Sequence, residues 1–240
     1  MTVSPSRVSV LMSGGFSGAY QALLPDFERT SGTKVATGSG ASQGNGPHTI
    51  AAQLARGAHA DVVIMSREGL AELIAANQIA AGTDVELAQV PLGVAARAGA
   101  AKPDVSTVDG FRHTLLTART IAVPGSTSGL WLKEDLFPRL GLAHKLNIAM
   151  TPRGSDASGM VAAGDAEVAV MPVSEILVAP GVEHAGAIPS ETQFVQVFCA
   201  AVVAGSTAME ASRRLIAFLA SPRASEAIRR SGMEPLATSR

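Results

Sequence analysis

Aromatic side chains are scarce in this sequence, with one Trp, one Tyr and seven Phe among 240 residues. Base stacking along a nucleic-acid strand and sugar binding on a ring platform both need exposed aromatics, so both are disfavoured. Cysteine is scarcer still. The single Cys199 lies in the apolar run Val195-Gln-Val-Phe-Cys-Ala-Ala-Val-Val203, where a buried structural thiol is expected rather than a nucleophile. Charge of one sign is also missing: 19 basic residues against 20 acidic leave a net charge of -1, which points away from nucleic acid and from a polybasic membrane contact. No apolar run is long enough to span a bilayer, so membrane insertion is not expected. There is no P-loop, no dinucleotide fingerprint, no Gly-X-Ser-X-Gly elbow and no zinc-spaced Cys/His cluster, and His59, His113 and His144 are too scattered to form a metal set. Neither a metal nor a cofactor is expected. Met1-Thr-Val-Ser-Pro-Ser-Arg7 has no leader-like basic, apolar or cleavage region. The expected location is therefore the cytoplasm, or the periplasm where a leader has been removed.

What the chain does have is glycine, 24 residues of it, gathered with serine at places where a strand hands over to a helix. Val8 to Met12 has strand character and runs into Ser13-Gly14-Gly15-Phe16, after which Tyr20, Leu23, Leu24 and Phe27 recur at helical spacing. A hydroxyl, bare backbone amides and the positive end of a helix make such a corner suited to an anion. A tight turn for its own sake is the plain alternative. The device recurs. Val35 to Thr37 leads into Gly38-Ser-Gly-Ala-Ser-Gln-Gly-Asn-Gly-Pro-His48, with Ser39, Ser42, Gln43 and His48, ahead of a helix from Thr49 to Arg56. The strand Thr120 to Val123 leads into Pro124-Gly-Ser-Thr-Ser-Gly129, with Ser126, Ser128 and Gly129.

The remaining elements alternate in the same way. Strands are expected at Asp61 to Met65, Val90 to Ala96, Ile148 to Thr151, Val168 to Val173 and Phe194 to Ala204, the fourth carrying Ser174 and Glu175 at its end. Helices are expected at Glu68 to Asn77, Phe111 to Ala118, Leu130 to Leu140, Ala208 to Leu219 and Ser221 to Ser231, the last with Ser221 as N-cap. Gly154 to Gly159 reads as a further small-residue turn, Val161 to Glu167 as the close of a helix, and Val178 to Pro189 as a Pro/Gly-rich passage. The pattern predicts an α/β protein of two lobes, residues 1–89 with 191–240 and residues 90–190. Each lobe is a mainly parallel sheet flanked by helices, with a ligand cleft between them.

Asp26-Phe-Glu-Arg-Thr-Ser-Gly-Thr-Lys-Val35, Gln53-Leu-Ala-Arg-Gly-Ala-His-Ala-Asp-Val62 and Phe218-Leu-Ala-Ser-Pro222 resemble the periplasmic solute-binding proteins of the molybdate-binding type (type II) over nearly the whole chain. The oxyanion ligands of that type are not retained: Gly15 stands where those proteins have Ser, and Pro172 where they have Tyr. A closer resemblance, in Ser13 to Phe16, Pro25 to Glu28, Ala60 to Met65, Ser126 to Gly129 and Val173 to Ile176, is to the branch that contains aconitate isomerase.

The resemblance implies a small polycarboxylate as ligand, molybdate being the weaker fit, and an allylic proton shift between cis- and trans-aconitate as activity. Such a shift needs a base and donors for the charge that develops. His48, on the second Gly/Ser loop, and Glu175, at a strand end, are the candidates for proton transfer; a surface histidine and an ion-paired carboxylate are the plain alternatives. Arg153 would clamp a carboxylate, or else face solvent. Ser13, Ser39, Ser42, Ser126, Ser128 and Ser174, with neighbouring amides, would hold the rest. The alternative function is a non-catalytic binder that delivers molybdate or another small anion to an ABC permease. A monomer is expected in either case.

Overall fold

The structure, a computed structural model, describes residues 6–236. It begins with β1 (Arg7–Met12), a 3-10 turn at Gly14–Phe16, α1 (Ser17–Ser31), β2 (Lys34–Ser39), α2 (Ile50–Ala55), β3 (Val62–Ser66), α3 (Arg67–Ala75) and β4 (Val85–Arg97). Then come α4 (Val108–Thr117), β5 (Ile121–Pro124), α5 (Thr127–Trp131), α6 (Phe137–Arg139), β6 (Ile148–Thr151), α7 (Gly154–Ala163), β7 (Val168–Pro172), α8 (Val173–Ile176) and β8 (Val182–Ala187). The chain closes with β9 (Val195–Val202), α9 (Met209–Leu219), α10 (Ser225–Arg230) and β10 (Glu234–Pro235). These elements form two compact units, one of residues up to Gln89 and from Val197 onward, the other Val90–Gln196. The chain passes from the first to the second within β4 and returns within β9.

In the first unit β1 pairs in parallel with β2 and β3, and β3 pairs antiparallel with β9. The interior strand β3 is buried at every position, as its unbroken apolar character requires. Leu11, Ile50, Met65, Leu70, Leu73 and Cys199 share one of its cores, and burial pushes the Cys199 thiol up to about 12. One buried acid fastens this sheet. Asp61 accepts from the Ser9 amide at 2.8 Å and from the Ser206 hydroxyl at 2.6 Å, joining β1 to the loop after β9. Asp61→Ala strands both donors and is expected to cost about 3 kcal/mol, read as a lower urea midpoint with an unchanged slope.

In the second unit the strands run β8-β4-β7-β5-β6, with β5, β6 and β7 parallel and β4 antiparallel to both β7 and β8. Leu92, Phe111, Ile121, Leu132, Phe137 and Val170 fill one face, and Ala157, Val161, Met171 and Ile176 the other.

Five local expectations are corrected. The helix expected over Leu130 to Leu140 carries a π-helical turn at Leu132–Leu136, because Pro138 cannot donate to the ladder and its ring crowds the preceding turn, which the wider turn relieves. Gly154 to Gly159 is helix, not turn. The left-handed residue that stops α7 is Gly164, with φ of 86°, so the helix ends at Ala163 and Glu167 lies beyond it. The passage Val178 to Pro189 contains β8, held by pairing with Gly93 to Arg97 rather than by its own propensity. Ser221 does not cap with its side chain; its hydroxyl donates to Phe218 O at 2.7 Å, and a 3-10 turn at Pro222–Ala224 precedes α10.

Candidate functional site

In the first unit, β1 and β2 end side by side, with Met12 opposite Ser39. The Ser13 amide donates to Ile64 O and the Gly40 amide to Met12 O, both at 2.9 Å, so the two corners are pinned to neighbouring strand ends. Ser13 is buried, and its Oγ has no hydrogen-bond partner among the described residues. Gly14 is exposed. Gly15 has another reason to be glycine. A Cβ there would overlap the tip of the Phe198 ring and lie 2.7 Å from its Cε2. The Phe16 side chain is fully buried, with its ring centroid 6.5 Å from that of Phe198. Gly15 and Phe16 therefore turn inward as packing, and Ser13 and Gly14 carry the polar character of this corner.

The second corner is closed at its base. Gln53 donates through Nε2 to Ser39 O at 3.0 Å and to His48 O at 3.1 Å. Ser39 and His48 are exposed. Ser42 is buried and accepts from the Ser66 amide at 2.9 Å, while Gln43 donates to Glu72 at 2.6 Å. These two side chains tie the loop to α3, Ser42 at its start and Gln43 in its second turn, and Ser66 also caps the helix by accepting from the Gly69 amide at 3.2 Å. The sequence reading missed Glu68 in that helix's first turn, whose Oε2 is buried without a partner among the described residues.

In the second unit three corners follow three adjacent parallel strands: Ser126 to Gly129 after β5, Arg153 after β6, and Ser174 with Glu175 after β7. Pro124 lies opposite Thr151 and Ala122 opposite Ala169. The Gly125 amide donates to Thr151 O at 2.6 Å, which stitches the first two corners together. Ser128 is buried at the start of α5, and Gly129 packs directly on the end of β5. Ser174 is buried, its Oγ without a partner among the described residues. Arg153 is exposed and pairs with Asp156 on its own helix, at 3.3 Å to each carboxylate oxygen.

Glu175 is different. Its carboxyl lies against Gly154 at the start of α7, with Met171 beside it, and makes no hydrogen bond or ion pair with the described residues. Burial with no compensating partner pushes it up to about 7. It is thus not the ion-paired structural carboxylate. A group of this kind exchanges a proton near neutral pH, which suits both removal and return of a proton. One more histidine is present on β8: His184 is half-buried, burial lowers its pKa, and its Nε2 has no partner among the described residues. No sequence signal marked it, because β8 itself was unmarked.

Among the described residues no group of His, Cys, Asp and Glu is arranged to hold a metal ion, and no helix is long and apolar enough to cross a membrane. Residues 8–234 match the bacterial extracellular solute-binding protein family. The chain belongs to that family. This solute-binding protein is 36% identical over 233 residues to an aconitate isomerase from a Pseudomonas species, covering 96% of the present chain and 88% of the relative. Its fold is that of the type II periplasmic binding proteins. The Azotobacter vinelandii periplasmic molybdate-binding protein matches with a TM-score of 0.75 at 20% identity, covering 94% of this chain and 98% of that one. The sulfate-binding protein SubI from Mycobacterium tuberculosis matches at 0.77 and 20% identity, covering 96% and 87%.

Proposed function

We propose that the protein is an aconitate isomerase that moves a proton and a double bond within a small unsaturated tricarboxylate. The observation that carries this reading is Glu175, an enclosed carboxyl at a strand end, free of ion pairs and brought by burial to about 7. The 36% identity to an aconitate isomerase over nearly the whole chain supports it.

In this reading the Glu175 carboxylate takes a proton from the methylene carbon of aconitate. The C–H electron pair spreads through the adjacent double bond onto the conjugated carboxylate. The neutral Glu175 then returns a proton to the far carbon, where a new C–H bond forms as the double bond moves. Atoms and charge balance without a cofactor. Hydroxyls and amides at Ser126, Ser128 and Ser174, which follow neighbouring strands of the same unit as Glu175, stabilise the negative charge that develops.

A second reading rests on the family itself: a binder of a small anion that serves an ABC permease without chemistry. Molybdate fits this chain poorly, because the corner position that carries Ser in molybdate binders is Gly15, where Phe198 leaves no room for a side chain. The two readings part on one experiment. The purified protein is incubated with trans-aconitate and the cis isomer is followed by proton NMR, beside a thermal-shift panel of aconitate, citrate, molybdate and tungstate. Continuous formation of the cis isomer is expected. No isomer, together with a melting shift given by molybdate alone, would overturn the isomerase reading.

A further inference from the structure

We infer that Gly154 is a positioning residue for Glu175: the missing side chain at the first residue of α7 is the slot that receives the Glu175 carboxyl. The inference rests on the reading that Glu175 acts on the ligand, and its test separates the two. A Cβ at Gly154 would overlap Glu175 Oε2, lie 2.6 Å from its Cδ and 3.0 Å from the Met171 methyl. The Met171 side chain is flexible and can give way. The carboxyl cannot shift by the needed amount and stay in the slot.

Backbone geometry does not explain the glycine. Gly154 is absent from the positive-φ glycines, and its position in α7 suits any L-residue. Alanine is the better helix former there, so glycine costs local stability. Space is what it supplies. The same α7 contains Gly159, around which a Cβ would meet nothing within 4 Å, so a scarcity of room along the helix is not general. It is local to the carboxyl.

Gly154→Ala is therefore expected to drive the Glu175 carboxyl out of the slot, the residue as a whole being half-buried and so partly in reach of solvent. Carbon-13 NMR titration of carboxyl-labelled Glu, assigned by difference against Glu175→Gln, reads this directly. The Glu175 transition is expected to move acidward by about one pH unit or more, and the inflection in the pH profile of isomerisation to move with it. A Glu175 transition at the native pH in a folded Gly154→Ala protein would overturn the inference, whether or not the protein isomerises aconitate. Should Gly154→Ala fold poorly, its melting temperature is compared in the native and Glu175→Ala backgrounds. The loss seen with Glu175 present is expected to vanish when the carboxyl is gone; an equal loss in both backgrounds would also overturn the inference. Absence of isomerisation with the NMR shift present would remove the enzymatic reading and leave the slot standing.

Discussion

Glu175→Gln is expected to lower the rate of aconitate isomerisation by about 10²- to 10⁴-fold, the usual contribution of a positioned acid or base, while aconitate still binds. Gln has the shape of the neutral carboxyl but cannot accept or return the proton. In the native protein kcat/KM should fall tenfold per pH unit below about 7, where Glu175 is protonated and no longer a base, and should level off above it. The variant should lose that limb.

Stability carries the same signature with a defined sign. Because the folded-state value lies above the ordinary 4.5 of a carboxyl, the native state holds a proton that the unfolded chain has released. Stability is then fully present below about 4.5, declines as pH rises toward about 7, and is flat beyond it. Glu175→Gln should abolish that decline. Stopped assays of turnover and urea denaturation at several pH values check both. Undiminished turnover in the variant would take Glu175 out of the reaction.

The largest expected loss of stability from one added methyl group is at Gly129. A Cβ there falls on Pro124 O and 2.8 Å from the Pro124 carbonyl carbon. The obstacle is backbone at the end of β5, not the tip of a side chain. Either the strand end or the start of α5 must move, and with it the corner that carries Ser126 and Ser128. Gly129→Ala is expected to cost about 3 kcal/mol or more, or roughly 6 to 12 °C in melting temperature for a chain of this size. Gly159→Ala is the control: its Cβ meets nothing within 4 Å, the helix gains a better former, and melting should stay level or rise. Calorimetry on the two proteins side by side makes the comparison. A loss under 2 °C at Gly129 would mean that the contact relaxes freely.

Strand-to-helix corners were legible because each announces itself locally, as Ser13-Gly14-Gly15 and Ser126 to Gly129 do. Period and apolar runs likewise exposed β3 and α9. What stayed hidden depends on partners distant in sequence. The strand β8 exists through its pairing with β4. Gly15 looked like an opening for ligand because nothing nearby in sequence reveals that Phe198 fills the space beside it. Gly154 and Glu175 sit about twenty residues apart, so the lone Gly reads as turn chemistry until the carboxyl is seen beside it. Arg153 has the residue type of an anion clamp, but its fork is taken up by Asp156, three positions along the same helix.

The sealed thiol of Cys199 gives experimenters a clean background for site-selective labelling. With its ionisation pushed up to about 12 and no exposure to solvent, it does not compete for maleimide dyes under native conditions. A cysteine introduced at the exposed Ser39 would then be the lone site to take a fluorophore, an optical reporter placed at the end of β2.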